Sequence, residues 1–163
     1  MPIPRRLGRC LYVSVGCLLL SASAAVAASK VIGNWMVNIE ADRFSDSTMN
    51  VVAITSGKSG GILAVRCLGG DLSIALGGPK FDTGDKFLIK FRTDKRPVVD
   101  TIAVAVSETF VEVDTTKEMV REMLTAKEYA VRIIGASSND FIFNAGSGAP
   151  KALAEVAKAC PLE

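Results

Sequence analysis

The 163-residue chain contains no histidine. Imidazole acid–base catalysis, Ser-His-Asp and Cys-His nucleophilic triads and His-ligated zinc are therefore all excluded. Aromatic residues are sparse, 6% with a single Trp, and Cys-x-x-Cys is absent. No block of like charge marks the chain for an anionic membrane surface. The longest apolar run, Leu11 to Leu20, is well short of the roughly 20 residues needed to span a bilayer. Asp42, Asp46 and Asp71 do not stand at EF-hand spacing. Nothing in the composition calls for a metal or cofactor, and none is expected.

The first 27 residues read as a cleaved secretory leader. Arg5, Arg6 and Arg9 give a basic start, Leu11 to Leu20 is mainly apolar, and Ala25-Val26-Ala27 satisfies the small-x-small rule for a cut before Ala28. Gly16-Cys17 imitates the end of a lipoprotein signal. Ser14 and Val15, however, stand where a Leu and then a small residue belong, and ordinary cleavage is the reading taken. Residues 28–163 are then expected to form one periplasmic or secreted domain without a transmembrane segment, long enough to bury a core of its own. Removing the three leader arginines leaves sixteen basic against seventeen acidic residues. A near-neutral domain with so few aromatics is a poor nucleic-acid binder, and a protein partner in the envelope is the expected one.

Of the four cysteines, Cys10 and Cys17 leave with the leader. Cys67 and Cys160 remain, and in an oxidising compartment they are expected to pair. They lie 93 positions apart; in the chain-entropy model a loop of that size contributes roughly 4–5 kcal/mol.

Short β-type segments dominate the chain from residue 33 onward. Gly33 to Ile39, Met49 to Thr55, Ile62 to Leu68, Leu72 to Leu76, Thr101 to Val106 and Phe110 to Val113 read as strands. In Lys86 to Arg92, Lys86, Leu88, Lys90 and Arg92 alternate with Phe87, Ile89 and Phe91, as a half-exposed strand does. The period then changes. Thr115 or Thr116 caps a helix reaching about Ala126, with Met119, Val120, Met123 and Leu124 on one face. Tyr129 to Ile134 and Phe141 to Asn144 return to β. A closing helix runs from about Pro150 to Ala159, with Ser147 as a cap candidate. The expected class is α+β: a mostly antiparallel sheet of about seven to nine short strands, two helices in the C-terminal half and one disulfide.

Two motifs imitate chemistry. Asp82-Thr83-Gly84 with Ile133-Ile134-Gly135 resembles retroviral-type aspartic proteases, but Asp85 sits where Ser or Ala belongs and no apolar strand leads into Asp82. Gly57-Lys58-Ser59 resembles the end of a phosphate loop without its earlier glycine or following helix. Both read as turns. The densest charge cluster, Arg92, Asp94, Lys95 and Arg96, reads either as a solvated turn or as a partner contact.

The strand ending Val65-Arg66-Cys67, the segment Lys90-Phe91-Arg92-Thr93-Asp94, the early Trp35, the Phe141-Ile142-Phe143 strand and the Ala-rich helix closing on Cys160 together resemble the periplasmic accessory proteins of type VI secretion, the TagO/VasI-like family. The resemblance implies a small, disulfide-bonded, non-catalytic domain that acts by contact. Its partner surface is expected around Arg66, Arg92, Asp94, Lys95 and Arg96, whose charges would steer an encounter. The alternatives are a secreted inhibitor of a host lysozyme or protease, working through the 93–98 or 77–85 loop, and a small-ligand carrier with a pocket between helix Thr115–Ala126 and the sheet.

Overall fold

The computed structural model describes residues 28–41 and 49–163. The leader, Cys10, Cys17, Asp42 and Asp46 lie outside the described residues. Ten strands form one sheet: β1 (Ala28–Ile32), β2 (Trp35–Ala41), β3 (Met49–Ser56), β4 (Ile62–Leu68), β5 (Asp71–Gly77), β6 (Lys86–Thr93), β7 (Val99–Ala105), β8 (Phe110–Val113), β9 (Glu128–Ile134) and β10 (Ser138–Asn144). Among the described residues there are two helices, α1 (Lys117–Met123) and α2 (Ala149–Ala159). The strand order is β1-β2-β3-β4-β5-β8-β7-β6-β9-β10, and every pair is antiparallel. The α+β architecture is the one expected.

The strands follow from period-two alternation. Val51, Ala53 and Thr55 on β3, Leu63, Val65 and Cys67 on β4, Ile89, Phe91 and Thr93 on β6, and Tyr129, Val131 and Ile133 on β9 all point inward and are buried. The turns carry the expected chemistry. Gly69 and Gly70 both have positive φ, 59° and 91°, as a two-residue type I′ hairpin requires.

The first strand, β1, carries no alternation signal. It is an edge strand whose residues from Ala28 to Val31 are all exposed, so no buried face imprints a period on its sequence. That tenth strand is the one element the periodicity does not reveal.

The sheet curls until its last strand meets its first half. Trp35 Nε1 donates to the Ala145 carbonyl at 2.8 Å, Asn34 Nδ2 donates to the Asn144 carbonyl at 2.7 Å, and the Trp35 and Tyr129 rings meet edge-on at 6.3 Å. Trp35, Tyr129, Phe143, Met123 and Leu153 are fully buried between the two halves and the helices.

In α1, the Thr116 hydroxyl accepts from Met119 N at 3.2 Å, which fixes the start of the helix. Met119, Val120 and Met123 on its inner side belong to the core. The second helix packs against β2, β3 and β4 through Ala149, Ala152, Leu153 and Val156. Its N-cap is Gly148, with no side-chain cap, and Ser147 is exposed. The reason for a glycine is steric: a Cβ on Gly148 would stand far inside van der Waals contact of the Ile32 carbonyl oxygen and 3.1 Å from Gly33 Cα. Helix and β1–β2 turn touch backbone to backbone there.

Cys67 and Cys160 are bonded, with Cα atoms 5.7 Å apart, inside the usual disulfide span. Both are buried. The bond ties the C-cap residue of α2 to the middle of the sheet. Among the described residues, no buried side-chain nitrogen or oxygen lacks a hydrogen-bond partner, and no helix is long and apolar enough to cross a membrane.

Candidate functional site

The outward side chains of β6, β7, β9 and β10 assemble the most distinctive surface. Strand register places Asp140, Arg132, Lys90 and Asp100 in one row across four strands. Arg132 grips Asp140 with two hydrogen bonds of 2.6 Å, and Lys90 Nζ reaches both Asp100 oxygens at 3.0 Å. Arg132 holds the Asp140 carboxyl below the usual carboxylate range, chiefly through that hydrogen bonding. The two adjacent cations are thus each matched by a carboxylate on the strand flanking them.

One row along, Ile142, Ala130 and Arg92 stand side by side. Here the charges do not cancel: among the described residues no carboxylate pairs with Arg92. Ala130 is too short to fill the space between its neighbours. The result is a recess of about 290 Å³ lined by Lys90, Arg92, Val98, Ala130, Arg132 and Ile142, with Asp140 at its rim. Val98 is 51% exposed and Ile142 40%. Beyond the charged row, Leu88 faces Ile102, and Val104 follows on β7; all three are exposed.

The residues singled out as a partner surface separate into two groups. Arg66 projects from the outer face of β4, bridging Glu112 at 3.0 Å and Ser73 at 3.3 Å. Four strand intervals, ~19 Å, lie between it and Arg92. Asp94 has φ of 50° and its Oδ1 accepts from Lys127 N at 2.9 Å and Glu128 N at 3.0 Å, clamping the turn after β6 to the start of β9. Arg96 pairs with Glu122 at 3.2 Å, and Glu122 also accepts from the buried Thr93 hydroxyl at 3.0 Å, so the turn is tied to α1. Lys95 is exposed at the turn's tip. Arg92, Asp94, Lys95 and Arg96 are neighbours, then, but two of the four are occupied in holding the turn.

Lys90, Arg132, Ala130 and Ile142 were not among the expected site residues, and Val98 entered only as the end of the 93–98 loop of the inhibitor alternative. For Lys90, Ala130 and Arg132 the one sequence signal is the charge–apolar alternation of β6 and β9; Val98, in the loop before β7, and Ile142, on β10, lie outside it. The motif imitations are turns: Asp85 N donates to the Asp82 carbonyl at 3.0 Å, and Gly60 N to the Gly57 carbonyl at 3.2 Å, with β4 rather than a helix following.

The geometry defines a class: an antiparallel ten-stranded sheet, curled so that its last strand meets its first half, with a disulfide-tethered helix packed on it and an outer face part apolar and part cationic. No family model matches the chain, and no curated protein matches it. Among solved structures, that of invasion-associated protein B from Bartonella henselae is similar, with a TM-score of 0.52 at 16% identity, covering 80% of this chain and 99% of that one. At that identity the likeness is one of fold. The comparisons lend no support to the type VI secretion resemblance.

Proposed function

We propose that this protein works outside the cytoplasm as a non-catalytic binding protein, an accessory of an envelope or secretion assembly, whose contact surface is the outer face of β6, β7, β9 and β10. The observation that carries the reading is that face itself. Leu88, Ile102 (54% exposed) and Val104 form an exposed apolar group on one side of the charged row, and Val98 and Ile142 flank Arg92 on the other, a guanidinium with no paired carboxylate among the described residues. Apolar side chains exposed in groups on one face mark interaction sites, and arginine is among the residues that dominate binding energy. The Cys67–Cys160 bond supports an oxidising compartment. The name of the Bartonella protein associates that protein with invasion; carried over to this chain, it agrees with work at or beyond the envelope.

The test is photo-crosslinking in intact cells from probes placed at Leu88 and Ile102, with a probe at the exposed Lys151 of α2 as control. A discrete product from the two sheet positions and none from the helix is expected. Equal or absent crosslinking at all three positions refutes the assignment of the face.

A further inference from the structure

Resting on that contact reading, we propose that the recess over Ala130 is its specificity pocket, built to take an extended partner segment that presents a carboxylate side chain with apolar side chains two residues away on the same face. The charge distribution comes first. Three cations, Lys90, Arg92 and Arg132, stand on two adjacent strands no more than two residues apart in register, and among the described residues only Lys90 and Arg132 have carboxylates of their own, Asp100 and Asp140. Arg92 keeps a five-donor planar head without a carboxylate partner among the described residues, and a carboxylate is the group whose two oxygens match it.

The steric argument comes second. Ala130 lies directly opposite both Arg92 and Ile142, so its methyl forms a floor and Ile142 and Val98 form apolar walls. The space left, about 290 Å³, is at the small end of ligand pockets, which span roughly 300–1,000 Å³ and enclose most of what they bind. It is open to solvent and suits a side chain delivered by a larger partner. Arg92 is one strand interval, ~4.8 Å, from the recess floor, and side chains at i and i+2 of an extended chain are ~6.8 Å apart on one face. An acidic residue on Arg92 therefore places its second neighbour's side chain within reach of the recess.

A second copy of this chain is a poor occupant. The row Asp140, Arg132, Lys90, Asp100 reads acid, base, base, acid. Two copies stacked face to face about a two-fold axis through that row set cation against cation and carboxylate against carboxylate.

The probe is the blocked pentapeptide Leu-Thr-Glu-Thr-Leu, titrated into the disulfide-bonded protein while the methyl signals of Ala130, Ile142 and Val98 are followed by NMR. Saturable shifts at these methyls in the millimolar range are expected, weak because the peptide must be ordered on binding. Replacing its Glu by Gln is expected to weaken binding about tenfold, and the rearranged peptide Thr-Leu-Glu-Leu-Thr, with its apolar residues on the other face, should bind no better than the Gln analogue. Arg92→Gln and Ala130→Leu each abolish the shifts with an unchanged melting temperature, while Arg92→Lys retains part of the affinity. Equal binding of the Glu and Gln peptides, or shifts that survive Arg92→Gln, overturns the proposal. So does hexanoate moving the same methyls at lower concentration than the peptide, which assigns the recess to a small amphiphile. Crosslinks from Ile102 that persist unchanged in Arg92→Gln leave the contact face standing and sink the recess. Peptide binding as described in cells that give no crosslinks upholds the recess and sinks the contact face.

Discussion

Reducing the Cys67–Cys160 bond removes no atom from the core. Both sulfurs stay buried, and their Cα atoms are already 5.7 Å apart, so the main change is in the unfolded chain. Freeing a loop that spans a sequence separation of 93 returns chain entropy worth about 4.6 kcal/mol at 25 °C in the loop-closure model. A domain of this size has a net stability of only about 5–15 kcal/mol. At roughly 4 °C per kcal/mol, the expected fall in melting temperature is on the order of 15–20 °C. The assay is thermal and urea unfolding followed by circular dichroism, with and without reductant, with thiol titration showing two free sulfhydryls in the reduced sample. The urea m-value should rise on reduction as well, because the uncrosslinked denatured state exposes more surface. A melting temperature that moves by less than about 3 °C on complete reduction would refute the reasoning: it would mean that the packing of Leu153 and Val156 holds α2 in place on its own.

Gly148→Ala should destabilise by at least about 2 kcal/mol in urea unfolding, since the new methyl collides with the Ile32 carbonyl oxygen. Trp35→Phe should cost about 2–4 kcal/mol by the same measurement, combining lost ring volume with a buried Ala145 carbonyl left without its donor. The Glu155 carboxyl is held below its usual range by hydrogen bonds from Lys30 and then Lys158. Its folded pKa is depressed, so its contribution is present above the ordinary value of about 4.5 and lost as pH falls through the lower folded one. Glu155→Gln should therefore flatten the stability profile on the acid side of pH 4.5 and leave the neutral side nearly parallel to the parent.

Strands with one wet and one dry face were legible because alternation records the difference. Leu63, Val65 and Cys67 against Arg66, or Ile89 and Phe91 against Lys90 and Arg92, announce both the element and its orientation. The cap at Thr116 and the start of α2 at Ala149-Pro150 were equally local. What periodicity does not encode is which strands become neighbours. The recess needs β9 beside β6 and β10 beside β9, and no spacing in the chain specifies that order. The same limit explains Arg66: the sheet inserts β5, β8 and β7 between its strand and β6. Asp94 and Arg96 read as solvated charges because the groups they hold, the Lys127 and Glu128 amides and the Glu122 carboxylate, come some thirty residues later.

The position of the two bonded cysteines sets an order of events during biogenesis. Cys160 follows Cys67 by 93 residues, so six strands and both helices are synthesised between the two sulfurs. At ~5–20 residues per second, Cys67 waits on the order of 5–20 s before its partner exists. Throughout that interval Cys67 has no Cys160 to bond, and the sheet strands made meanwhile must form without the clasp. The clasp on α2 is therefore the last covalent step available to this fold, and a product truncated before Cys160 lacks it altogether.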